Sequence, residues 1–297
     1  MWMQSALVTV ALAVAGSAAP LDAAKHKAEI EQWRVERVER LKQPDGWLSL
    51  VGLHWLAEGK QTVGSGKDND VVLAVGPARL GTITLADKKL SIQLAEGAEA
   101  KVGETDARQG ELAPDSSGAP TFVTFGNAQF QVIERWGKYA LRVKDADAAT
   151  RTGFLGIDYY DIDPTWRFEA RFEPHPPGKT IEIANIVGTV EPMPNPGALV
   201  FEKDGKTHRI EAVDEGDEML FLIFADRTSG NETYGAGRFL YAAPPAAGSS
   251  TVIVDFNAAY NPPCVFTPYA TCPLAPPENR LDLAVTSGER KYRGAAH

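Results

Sequence analysis

The sequence predicts a mainly β protein, with an N-terminal helix followed by two subdomains of the β-sandwich or barrel type. Three observations carry this. After Gly46, short runs of β-branched and aromatic residues recur between Gly, Asp and Asn clusters at the spacing of strands in a sandwich. A helical period occupies Lys25–Lys42, and beyond it no Gly-rich loop opens a long helix, so a dinucleotide or P-loop fold has no support. Fifteen of the 20 prolines stand at position 164 or later, and proline, which cannot donate to a ladder, belongs in loops and at sheet edges.

The 297 residues are 44% hydrophobic and 23% charged, a globular composition able to bury a core. Thirty Lys+Arg against 39 Asp+Glu leave a net charge of −9, which argues against a nucleic-acid partner. Two cysteines are too few for a disulfide-dense scaffold.

Taken in order, residues 1–19 read as a secretory signal peptide. An apolar run from Ala6 to Ala15 precedes Gly16, Ser17, Ala18 and Ala19, with Pro20 favouring cleavage after Ala18. The mature chain is therefore expected to be exported, periplasmic or extracellular, without membrane insertion. Residues 20–45 hold the helix, whose apolar face is Ile30, Trp33 or Arg34, Val38 and Leu41, stopped by Pro44, Asp45 and Gly46. Its charged face is expected to be solvated. Residues 46–147 form the first β subdomain, with runs at Val71–Val75, Thr82–Leu85, Leu90–Leu94, Phe122–Phe125, Phe130–Arg135 and Tyr139–Val143, and a hairpin turn at Arg135-Trp136-Gly137-Lys138. Residues 148–297 form the second, with runs at Phe168–Phe172, Thr180–Val190, Ala198–Glu202, His208–Glu211, Leu220–Phe224, Thr251–Phe256 and Leu281–Thr286. An aperiodic Pro-rich loop fills Asn257–Asn279, a length that points to a functional or pinned segment.

Val63-Gly64-Ser65-Gly66-Lys67-Asp68-Asn69-Asp70-Val71-Val72-Leu73, followed by Gly81-Thr82-Ile83-Thr84-Leu85, resembles the opening hairpin of a forkhead-associated β-sandwich. That family reads phosphothreonine with an arginine after the glycine. Ser65 stands there in this chain, so the resemblance extends to fold and not to phosphate binding.

The densest chemistry lies in Leu220–Asn279. The runs Thr233-Tyr234-Gly235-Ala236-Gly237-Arg238-Phe239, Asp255-Phe256-Asn257-Ala258-Ala259-Tyr260-Asn261-Pro262-Pro263-Cys264 and Phe266-Thr267-Pro268-Tyr269-Ala270-Thr271-Cys272-Pro273, after an upstream Gly46-Trp47-Leu48-Ser49-Leu50, resemble the "domain of unknown function 1684" family. The resemblance runs from about Trp33 to Tyr292 and implies no particular activity, substrate or catalytic residue.

The residues themselves leave three functional classes open. The first is binding of a small polar or anionic molecule in the C-terminal subdomain, with Arg238 as anion clamp, Asp226, Asp255 and Asn257 as polar partners, and Tyr234, Tyr260 and Tyr269 as walls. Arg238 pairing with Asp226 or Asp255 in the core is the competing fate. Asp255 and Asn257 are read as turn caps in preference to cation ligands, so neither a metal nor another cofactor is expected. The second class is a hydrolase or transferase using acidic residues or Cys264. The third is a non-catalytic structural or interaction module. In an oxidising compartment, Cys264 and Cys272 are expected to close their loop as a disulfide worth about 2.5 kcal/mol, with a reduced structural pair as the alternative.

Overall fold

The computed structural model describes residues 21–294, so the expected leader lies outside the described residues. The helix runs Ala23–Lys42. Asp22 caps it, its carboxylate accepting from the backbone N–H groups of Ala24 and Lys25 at 3.0 and 3.1 Å. Its buried stripe is His26, Ile30, Arg37 and Leu41, so two polar side chains stand where the period had placed surface charge and Val38.

All strands from Leu50 to Asp145 belong to two five-stranded sheets. One is ordered Leu50–Trp55, Lys138–Asp145, Ala128–Arg135, Phe122–Phe125 and Lys101–Val102. The other is ordered Val71–Val72, Gly59–Gly64, Gly81–Ala86, Lys89–Leu94 and Gln109–Glu111. Alternate residues of both sheets meet in a single core, Val63, Ile83 and Ile92 from one and Phe130, Val132, Leu141 and Val143 from the other. The predicted hairpin turn is present, with Trp136 at φ 54° and Gly137 at φ 69°, the left-handed pair a tight hairpin needs. Ser65, where a forkhead-associated domain would carry its arginine, donates its hydroxyl to the Gly76 carbonyl at 2.7 Å.

The second unit is built from a four-stranded sheet ordered Lys206–Glu211, Gly197–Lys203, Arg167–Pro174 and Thr251–Asp255, and a three-stranded sheet ordered Val213–Asp214, Leu220–Phe224 and Arg238–Ala242. Leu220–Phe224 is buried on both faces. Leu220, Leu222 and Phe224 enter a core with Leu199, Phe201, Val254 and Phe256, while Phe221 and Ile223 enter a second core with Ile181, Ile183, Cys264 and Cys272. The expected single run Thr180–Val190 is instead a hairpin, Thr180–Ala184 with Val190–Pro194. Asn185 makes its turn, accepting from the N–H groups of Val187 and Thr189.

Leu281–Thr286 is not a strand. Its polar backbone groups are taken by side chains and loops rather than by a ladder. Arg227 N–H donates to the Leu283 carbonyl at 2.9 Å, Val285 N–H donates to Asp226, and the Val285 carbonyl accepts from Arg238. The Pro-rich loop is pinned along its length. Thr267 Oγ1 donates to the Leu50 carbonyl, Ile186 N–H to the Cys272 carbonyl, and Leu274 N–H to the Ala184 carbonyl.

The N-terminal helix docks on the second unit although the first separates them in sequence. His26 Nε2 lies 2.6 Å from Asp255 Oδ2, and Arg34 donates to the Tyr160 carbonyl. Arg37 Nε reaches Glu289 Oε1 at 3.0 Å and its Nη2 the Asn261 carbonyl at 2.8 Å. Among the described residues no helix is long and apolar enough to cross a membrane.

Candidate functional site

The expected clamp is a core ion pair. Arg238 is 0% exposed, and its Nη2 lies 3.0 Å from Asp226 Oδ2. Its two terminal nitrogens also reach the carbonyls of Val285 at 2.8 Å, Glu289 at 3.2 Å, and Ser287, while the buried Nε has no partner among the described residues. Asp226 in turn accepts from Thr228 N–H, Thr228 Oγ1 and Val285 N–H at 2.8, 2.6 and 3.2 Å. Burial pulls the Arg238 guanidinium below its ordinary range, with Asp226 opposing. This pair therefore knits the C-terminal segment into the core, which is the competing fate weighed for it.

Asp255 and Asn257 are likewise engaged inside the protein. Asp255 Oδ1 accepts from Asn257 N–H at 3.0 Å and its Oδ2 meets His26. Asn257 bridges to Asp163, donating to its carbonyl and accepting from its N–H, both at 2.9 Å. Tyr269 packs in the loop, where its N–H donates to Thr267 Oγ1. Tyr234 packs against the apolar cluster that contains Cys264. Among the described residues no group of three or more His, Cys, Asp or Glu side chains is arranged to hold a metal ion.

Tyr260 leads to the cleft that is present. It is about 490 Å³ in volume and lies where the helix, the first sandwich and the second unit meet. The helix supplies Trp33, Arg37 and Arg40. Trp47, Arg135 and Arg142 come from the first sandwich and the segment leading into it. The second unit adds Glu215, Phe221, Phe239, Tyr241 and Tyr260, and the Pro-rich loop closes the wall with Pro263 and Thr271–Pro273. Four arginines thus face a single carboxylate in a chain that is acidic overall.

The arginines differ in how they are held. Arg37 is paired with Glu289 and sits 4.6 Å from the Tyr260 ring centroid. Arg135 is paired with Asp115 at 2.8 Å, and Arg40 approaches Glu36 at 3.7 Å. Arg142 is different. It is 8% exposed, makes no ion pair or hydrogen bond with the described residues, and its buried Nε lacks a partner. Its guanidinium carbon lies 5.1 Å from the Trp47 ring centroid. Burial, reinforced by Arg135 and opposed by Asp115 and Cys272, pushes Arg142 down to about 10, so it remains cationic at neutral pH.

Strand geometry explains its placement. Tyr139, Leu141 and Val143 point into the sandwich core, so Arg142 points out of the opposite face, where the second unit covers it. The aromatic wall is equally ordered. Tyr241 and Tyr260 stack at 6.3 Å, Phe239 meets Tyr260 edge-on at 5.8 Å, and Trp33 lies 6.4 Å from Tyr260. Tyr241 donates its hydroxyl to Glu215 at 2.7 Å, and burial pushes the Glu215 carboxyl up.

Of the candidate ligand-binding and disulfide residues named from the sequence, only Tyr260 and Cys272 line this cleft. The arginines were missed because they come from outside the C-terminal half. The available signal was the alternation Tyr139-Ala140-Leu141-Arg142-Val143, which puts Arg142 on an outward face without saying what covers it. Cys264 and Cys272, expected as a disulfide, are both free and buried, with Cys264 N–H donating to Cys272 Sγ at 3.2 Å.

The family described as "Protein of unknown function (DUF1684)" matches residues 152–290. No curated protein matches the chain significantly. Among solved structures, the chain is similar to the solution NMR structure of an uncharacterized protein from Haloarcula marismortui. The two share 31% identity over 47% of this chain and 78% of that one, with a TM-score of 0.39. The family match across the second unit supports assignment of this chain to the DUF1684 family.

Proposed function

We propose that the chain is an exported protein that binds a small anion with a planar apolar body in the cleft between the helix and the two β units. The observation that carries this reading is Arg142, a buried guanidinium with no hydrogen-bond or ion-pair partner among the described residues, in a space lined by three further arginines. A buried unpaired charge is costly to the fold, and a bound anion supplies the missing acceptor. Trp47, Tyr241 and Tyr260 offer ring faces beside it for the body of the ligand, and Glu215 offers an acceptor for a ligand donor. The acidic surface around a local basic cleft favours a small anion over a polyanion. Export rests on the leader-like Met1–Ala19 segment, and the secreted protein is expected to begin at Ala19 when its intact mass is measured.

Calorimetric titration with phenyl phosphate, benzoate and inorganic phosphate tests the binding reading. The wild-type protein is expected to bind the aryl anions more tightly than inorganic phosphate. Arg142→Met is expected to weaken aryl-anion binding by about 10- to 150-fold, the loss of roughly 1.5–3 kcal/mol carried by charge-assisted hydrogen bonds. Its Tm is expected to equal or exceed that of wild type, because the substitution removes an unpaired buried charge. Equal affinity in the variant, or no binding of any of the three to wild type, would sink the proposal.

A further inference from the structure

We propose that Cys264 and Cys272 are a redox couple set into the wall of this cleft, converted to a disulfide by low-molecular-weight disulfides that carry carboxylates. The inference rests on the anion-binding reading above and assigns a chemistry to the same site. The two side chains are free and packed together, with Cys272 on the cleft surface and Cys264 behind it. The loop between them is held by the Thr267 hydrogen bond to Leu50 and, beyond Cys272, by Ile186 and Leu274. Joining the sulfurs is thereby left to side-chain rotation. On one side Tyr234 packs against the cluster that holds Cys264; on the other, Arg142 and Cys272 line the same cleft. Hydrogen bonding from Cys272, and then from Tyr234, holds the Cys264 thiol below its ordinary range despite burial, while Cys272 is pushed up. The first proton of the pair is thus lost from Cys264, and the remaining one stays on Cys272. A cationic neighbour such as Arg142 favours the thiolate form of a cysteine.

The ligand class follows from the cleft. A hydroperoxide would use neither its 490 Å³ nor its arginines, whereas a disulfide flanked by carboxylates uses both. In the first step the Cys264 thiolate takes the proton of Cys272, and the Cys272 thiolate so formed attacks one sulfur of RSSR. A Cys272–SR bond forms, the RS–SR bond breaks, and RS⁻ leaves to take up a proton. Cys264, deprotonated, then attacks the Cys272 sulfur, expelling the second RS⁻, which is also protonated. The protein dithiol is oxidised, RSSR is reduced to two RSH, and the two thiol hydrogens end on the two leaving groups.

The test uses the reduced full-length mature protein, oxidised glutathione as the anionic disulfide and bis(2-hydroxyethyl) disulfide as the uncharged one, followed by intact mass and free-thiol titration. Oxidised glutathione is expected to produce the two-hydrogen mass loss about tenfold or more faster, the low end of electrostatic focusing. Arg142→Met should abolish that preference. Cys264→Ser should accumulate one glutathione adduct on Cys272. Equal rates for the two disulfides in wild type would overturn the assignment of the cleft as the disulfide site. Absence of any disulfide or adduct while phenyl phosphate still binds would overturn the redox couple and leave the anion site standing. Disulfide formation without any aryl-anion binding would instead remove the anion-binding reading on which the proposal rests.

Discussion

Arg238→Met is expected to lower the unfolding free energy by about 3–5 kcal/mol, the cost of stranding the partner of a buried ion pair. The substitution leaves the Asp226 carboxylate, whose side chain is 1% exposed, without its cation. It also releases the carbonyls of Val285, Ser287 and Glu289, which have no ladder to return to. Arg238→Lys should recover little, because one ammonium group cannot span the acceptors that the planar fork reaches. Urea unfolding followed by circular dichroism gives the number. A loss below about 1 kcal/mol would show that Asp226 is satisfied by Thr228 and Val285 alone.

Glu289→Ala should cost a similar amount, about 3–5 kcal/mol by the same reasoning, but with a different signature. The Glu289 carboxylate is 0% exposed, accepts from Arg37 Nε, and accepts from the Asn261 N–H at 2.7 Å. Without it, Arg37 stays buried at the helix–loop junction with only the Asn261 carbonyl and the Tyr260 ring to face. The helix is therefore expected to exchange its amide hydrogens faster than the sandwich does, and to become sensitive to trypsin at Arg34 and Arg37. Glu289→Gln, which retains the acceptor oxygen for one of the two donors, should lie between. Uniform loss of protection across the whole chain would instead mean that the helix is not a separate cooperative unit.

Much of the fold is legible in the residues. Leu220–Phe224 reads as a fully buried strand because five apolar residues in a row leave neither face for water. The turn Arg135-Trp136-Gly137-Lys138 is recognisable from its glycine. The edge strands Lys101–Val102 and Gln109–Glu111 are too short and polar to announce themselves. Leu281–Thr286 has strand composition, but whether its carbonyls find a ladder or a guanidinium depends on Arg238, more than forty residues away in sequence. The site was less legible for a related reason. Alternation along a strand distinguishes inward from outward, and Arg142 is outward from its own sheet. Its burial comes from a unit whose approach no local pattern encodes. The aromatic and cysteine content of the Pro-rich loop pointed to one wall of the cleft, and the cations that line it come from the helix and the first sandwich.

The docking of the first helix on the last segment has a consequence for the order of assembly. Arg37 and Glu289 are 252 residues apart in sequence, and His26 and Asp255 are 229 apart. Closing a loop of that length costs about 5 kcal/mol in chain entropy before any contact repays it. A chain emerging from its N-terminus therefore holds a 20-residue amphipathic helix with no surface to rest on until nearly its whole length is available. The two β units can each collapse locally in the meantime. The helix then seats last, and with it come Trp33, Arg37 and Arg40. The finished cleft is thus a report on completed synthesis: a chain stopped short of Glu289 would present folded sheets and a cleft without its helical wall.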